Sequence, residues 1–95
     1  YNREEDRVRP IIIKALRKDG WKVRRVEPFT SGKFALGDIW MFHKKMRVAG
    51  WGEIKSLTGN LSPDQEEFKE ECFICNISYW TIRPLGDNGY TMKQY

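Results

Sequence analysis

Two stretches rich in aromatic and aliphatic residues, 38–43 and 47–54, are separated only by the polar pair Lys44-Lys45 and its immediate neighbours. Stretches of this composition read as strands, and so short a connection makes them an antiparallel hairpin. If the turn is centred on Lys45-Met46, pairing is symmetric and Asp38 lies directly across from Glu53. Opposed residues on one face of such a pair have Cβ atoms about 4.5 to 5.5 Å apart, and alternation adds Lys55 to the face of Glu53. The hairpin therefore gathers two carboxylates and an ammonium at one edge of a sheet. Residues 44–47 contain no Asn-Gly or Asp-Gly, so the register rests on symmetry alone, and a loop of odd length would break the pairing.

Carboxylates facing one another across a ladder repel, which raises at least one pKa, and a divalent cation between them relieves the repulsion. Mg²⁺ suits such a place because it prefers oxygen ligands and usually keeps several waters beside one or two carboxylates; Mn²⁺ is the expected substitute. Lys55 in its charged form would stabilise negative charge building at a phosphorus centre and orient an attacking water. The grouping fits metal-assisted hydrolysis of a phosphodiester. By itself, Glu-x-Lys on a strand is more often a solvated ion pair worth about 0 to 1 kcal/mol. The context has to decide.

The 95 residues, 40% of them hydrophobic and 14% aromatic, suffice for one domain spanning 1–95 with a modest core. No apolar stretch approaches the roughly 20 residues that span a bilayer, and the charged start has no signal-peptide core. A soluble, cytoplasmic protein with no membrane association and no nucleotide cofactor is expected. The net charge of +4 is compatible with a polyanionic partner. Bases gather at 7–25 and acids at 64–71, and an acidic helix face does not seek DNA. Cys72 and Cys75 form a C-x-x-C with no second pair, and His43 is the sole histidine, which argues against a four-ligand zinc site. Two reduced cysteines, at least one in the core, are expected.

Glu4 to Lys18 reads as a helix, with Val8, Ile11, Ile12, Ala15 and Leu16 on its apolar stripe, Ile13 off it, and Gly20 placed to end it. Pro10 would kink this helix or belong to its first turn. Trp21 to Val26 alternates as a strand, and 27–37 is a loop with Lys33 near its tip as a candidate phosphate contact. Gly50 and Gly52 in the second hairpin strand mark a bulge or a close backbone approach. Ser62-Pro63-Asp64-Gln65 opens a second helix, with Ser62 as N-cap and Gln65 closing a capping box. This helix runs to about Cys75. A strand at 78–83, a turn at 86–89 and a short strand at 90–93 complete an α/β fold, αβββαβ with a mixed sheet flanked by helices.

An acid-bearing helix, Gly37-Asp38, Glu53-Ile54-Lys55 and Leu61-Ser62-Pro63-Asp64-Gln65, in that order and spacing, resembles the PD-(D/E)xK nuclease superfamily with its restriction-endonuclease-like core. Within it the chain looks most like the virus-type replication-repair nuclease domain, VRR-NUC, found alone in phages and at the end of the Fanconi-associated nuclease. The resemblance covers roughly 5–83. It implies Asp38, Glu53 and the backbone carbonyl of Ile54 as metal ligands, and Lys55 serving the water or the transition state. It also implies that Gln65 steadies the site and that Glu5 adds an acid from the first helix. Glycine stands before Asp38 where the superfamily has proline. Small stand-alone members are expected to cut branched DNA such as Holliday junctions, as homodimers. Arg24 and Arg25 are candidate DNA contacts beside Lys33, and Ile11 to Ile13 with the tryptophans are candidates for a dimer interface. A module of the same fold that binds nucleic acid without cutting it, and a protein-interaction domain using its tryptophans, are the alternatives.

Overall fold

A computed structural model describes residues 3–26 and 37–95. Helix α1 (Arg3–Lys18) precedes strands β1 (Lys22–Arg25), β2 (Ile39–His43) and β3 (Val48–Ile54); helix α2 (Pro63–Ile74) and strands β4 (Ser78–Leu85) and β5 (Gly89–Gln94) follow. The strands lie side by side in the order β1-β2-β3-β4-β5. All neighbours are antiparallel except β3 and β4, which run parallel and are joined through α2. The α/β restriction-endonuclease-like arrangement with a mixed sheet is the one expected, and residues 27–36, including Lys33, lie outside the described residues.

The local signals act as the sequence suggests. Acids open α1 and Arg17 and Lys18 close it, which complements the helix dipole. Trp21 N–H donates to the Leu16 carbonyl and Gly20 N–H to that of Arg17, with Gly20 at φ +97°, so a Schellman motif ends the helix. Pro10 is accommodated inside an unbroken helix. Ser62 caps α2 in a complete capping box, and Asn76 at φ +58° ends it in the same way as Gly20 ends α1. Cys72 is buried, Cys75 is exposed, and both are free thiols.

The core lies between α1 and one face of the sheet: Val8, Ile12, Ile13 and Leu16 pack with Trp21, Val23, Ile39, Met41, Ile54, Trp80 and Ile82. Each such aliphatic side chain, fully buried, contributes about 1.5 to 3 kcal/mol. Ile13, expected off the stripe, is 4% exposed and belongs to this core, while Ile11 is only partly buried. The buried stripe is rotated toward Ile13 because its N-terminal continuation at spacings of three and four is Glu5 and Arg9, both largely covered. The isoleucine triplet is thus mostly spent on the core. Trp21 and Trp80 are core as well. On the opposite face Trp40, Trp51, Phe68 of α2 and Tyr79 form a chain of edge-to-face rings with centroids 5.2, 5.6 and 6.1 Å apart.

Pairing of β3 with both neighbours is continuous, so Gly50 marks close approach rather than a bulge. A Cβ at Gly50 would overlap the Ser78 carbonyl on β4. Gly50→Ala is expected to destabilise the protein by roughly 1 to 3 kcal/mol, because β4 cannot withdraw without loosening the parallel pairing. The midpoint of urea unfolding measures this, and an unchanged midpoint would show that β4 yields freely.

Candidate active site

Four elements converge where β2 begins and β3 ends. The β2–β3 register pairs Ile39 with Gly52, which sets Asp38 across from Glu53, one step beyond the ladder. The symmetric turn is therefore the one the chain makes. It closes through Arg47 N–H donating to the His43 carbonyl at 2.8 Å, with Arg47 itself at φ +58° in place of the missing glycine. Asp38 sits just outside β2, and each carboxylate binds the other's strand. Ile54 N–H donates to Asp38 Oδ2 at 2.8 Å, and Asp38 N–H donates to Glu53 Oε2 at 3.2 Å. This exchange takes the place of further ladder bonds and locks both side chains.

Glu53 is 2% exposed and its other oxygen is also engaged: Gln65 Nε2 donates to Oε1 at 2.6 Å. The same Gln65 accepts from Ser62 N–H through Oε1 at 2.8 Å, so one amide closes the capping box and holds the site carboxylate. The two roles weighed for Gln65 coexist. Lys55, 6% exposed, places Nζ 3.5 Å from Glu5 Oε1, so α1 brings its acid to the site despite Pro10. Gly37 is buried, and a Cβ there would press on the Trp51 ring, which gives a local reason for glycine at this position.

Burial raises the Glu53 pKa most and Asp38 adds to it, against Lys55, so this carboxyl is pushed up to about 8. Asp38 is also raised, first by burial, against the Ile54 hydrogen bond and Arg9. Ionising either carboxyl is thus disfavoured here, a cost that a cation between them would relieve. Among the described residues no third His, Cys, Asp or Glu completes a cluster with these two. Two hard oxygen donors with a water-completed shell is the set that suits Mg²⁺ or Mn²⁺ rather than zinc.

Three participants are absent from the sequence reading. Arg9 Nη2 lies 3.7 Å from Asp38 Oδ1 while its Nη1 binds Asp6 at 3.0 Å; its spacing of four from Glu5 was the available clue. Tyr79 on β4 is buried, and its hydroxyl has no partner among the described residues. Burial raises its pKa, and Glu53 and Asp38 raise it further. Arg83 holds the connection between β3 and α2. Arg24 and Arg25 both lie exposed, but the register sets Arg24 opposite Trp40, on the face of Asp38, and Arg25 opposite Ile39, on the face of α1. They do not form one patch, because successive strand residues point to opposite sides.

The chain thus has a restriction-endonuclease-like fold, with the paired carboxylates and the lysine at one end of its mixed sheet. Among solved structures it is similar to the Holliday junction resolvase Hjc from Archaeoglobus fulgidus, an archaeal hyperthermophile, at 18% identity and a TM-score of 0.70, covering 94% of this chain and 75% of that one. No family model and no curated protein matches the sequence. The likeness is one of fold.

Proposed function

We propose that this chain is a divalent-metal-dependent endonuclease of the VRR-NUC type that hydrolyses phosphodiester bonds in branched DNA such as Holliday junctions, with residues 1–95 as its nuclease domain. The observation that carries this reading is that Asp38 and Glu53 are hydrogen-bonded across two strand ends with Lys55 beside them, paired to Glu5, on a fold similar to that of a junction resolvase. Asp38 and Glu53, with the Ile54 carbonyl, would hold Mg²⁺ or Mn²⁺. When bound, the ion would supply Lewis acidity at the scissile phosphate.

The chain's own groups do the rest. Gln65 fixes one Glu53 oxygen, and Arg9 balances Asp38. Glu5 pairs with Lys55 and keeps its ammonium beside the reacting phosphate, where it orients the attacking water and offsets the charge of the transition state. Arg24, on the same sheet face as Asp38, would meet a phosphate next to the cut, and Arg25 and Lys33 are further candidate phosphate contacts. Two coordinated cuts across a two-fold junction call for a homodimer with two such sites. Among the described residues no helix is long and apolar enough to cross a membrane.

The test is cleavage of a synthetic four-way junction beside matched duplex and single strand, in Mg²⁺, Mn²⁺ or EDTA. Paired, symmetric nicks in either metal and none in EDTA are expected. Junction binding that weakens steeply with salt, but without cutting in any metal, would replace this reading with the non-catalytic module. Neither binding nor cutting would leave the protein-interaction domain.

A further inference from the structure

Glu53 and Lys55 end β3, and Gln65 belongs to α2, so their meeting depends on the connection 56–62 between them. That connection contains no regular structure, and its Ser56 is buried. A single side chain from the neighbouring strand holds it. Arg83 Nη1 donates to the carbonyls of Ser56 and Gly59, each at 2.6 Å, and lies 3.5 Å from that of Leu57. A guanidinium is suited to this task, since it is permanently charged and carries its donors in a rigid plane. The loop closes on itself through Gly59 N–H donating to the Ser56 carbonyl at 3.3 Å. On its other side, a Cβ at Gly59 would come 2.7 Å from Ser56 Oγ and 3.4 Å from Glu5 Oε1, so the loop passes beside the acid that pairs with Lys55.

We propose that Arg83 is a positioning residue for the reaction: by gathering the carbonyls of 56–59 it sets both the Glu5–Lys55 contact and the reach of Gln65 to Glu53. This inference rests on the nuclease reading. Arg83 lies on the strand next to Glu53, whose partner on β4 is Thr81, yet its guanidinium donates to the loop rather than to either carboxylate. Its influence on the site therefore passes through backbone.

Arg83→Gln, Arg83→Lys and Gly59→Ala are compared with wild type by single-turnover cleavage, by junction affinity, and by Mn²⁺ titration followed in the electron paramagnetic resonance of the free ion. Arg83→Gln should lower the cleavage rate and the Mn²⁺ affinity by roughly 10- to 100-fold, with junction affinity within about 2-fold of wild type. Arg83→Lys, which keeps the charge on a shorter side chain, should cut faster than Arg83→Gln. Gly59→Ala displaces the same loop with Arg83 intact, so it should reproduce the loss, and it serves as the test if Arg83→Gln does not fold. A wild-type rate in Arg83→Gln or in Gly59→Ala overturns the proposal. So does a rate loss matched by lost junction affinity, which would make Arg83 a DNA contact. Wild type that neither binds Mn²⁺ nor cuts would instead overturn the nuclease reading on which this one stands.

Discussion

Lys55→Ala should bind a four-way junction about as tightly as wild type and cut it roughly 10²- to 10³-fold more slowly, the usual cost of removing one positioned group that stabilises developing charge. Lys55 is 6% exposed, and its ammonium lies within 3.5 Å of Glu5, so it is poorly placed to serve as a surface anchor for DNA. Its loss also leaves Glu5 facing the Asp38–Glu53 pair without the intervening cation. The variant should therefore be less stable without metal and recover part of that stability when Mg²⁺ is added. Gel-shift affinity and single-turnover rates measured on the same preparation separate binding from chemistry. A variant that cuts at the wild-type rate would remove Lys55 from the reaction, and one that loses affinity in proportion to rate would make it a phosphate contact.

The pair Asp38–Glu53 was legible because strand pairing is arithmetic: a symmetric turn between two apolar stretches fixes every opposed residue at once. The turn itself was not legible. Its closing residue is Arg47 at positive φ, where sequence preference would look for glycine or asparagine, and only the flanking strands oblige it to adopt that conformation. Ser62, Pro63 and Gln65 announced the start of α2 through local chemistry, and the same amide that closes the cap reaches Glu53.

Groups brought in by tertiary packing left weaker traces. Apolar residues alone place the buried stripe of α1 along Val8, Ile11, Ile12, Ala15 and Leu16. In the folded chain the stripe runs through Glu5 and Arg9 toward the site, so polar residues occupy part of its covered face and Ile13 enters the core. A periodicity built on hydrophobicity counts those two as solvent-facing. Tyr79 and Arg83 meet the site region only because β4 lies parallel to β3 after a crossover through α2, a relation without local signature. Arg24 and Arg25, adjacent in sequence, face apart once the strand is formed.

The metal-free protein should lose stability as pH rises from about 5 to about 8, opposite to the usual gain as ordinary carboxylates ionise. The Glu53 carboxyl, ordinarily near 4.5, is pushed up to about 8 by burial and then by Asp38. Between those values the folded chain holds a proton that the unfolded chain has released. Stability is therefore full below the lower value and falls as pH climbs through the upper one. The raised Asp38 acts in the same direction. The total is on the order of a few kcal/mol. Urea midpoints in EDTA at pH 5, 6.5 and 8 measure it, and at pH 8 added Mg²⁺ or Mn²⁺ should return most of what was lost, since an ion that binds only the folded state stabilises it by mass action. Glu53→Gln retains the side chain's shape, and its carbonyl oxygen can still accept from Asp38 N–H or from Gln65, but it carries no charge. Its stability should fall much less over the same window, since only Asp38 still titrates high, and should lie above wild type at pH 8 without metal, with little response to either ion and loss of cleavage. A wild-type midpoint that holds level or rises from pH 5 to 8 in EDTA would mean that the two carboxylates are not the strained pair their burial implies, and the case for a metal between them would lose its physical basis.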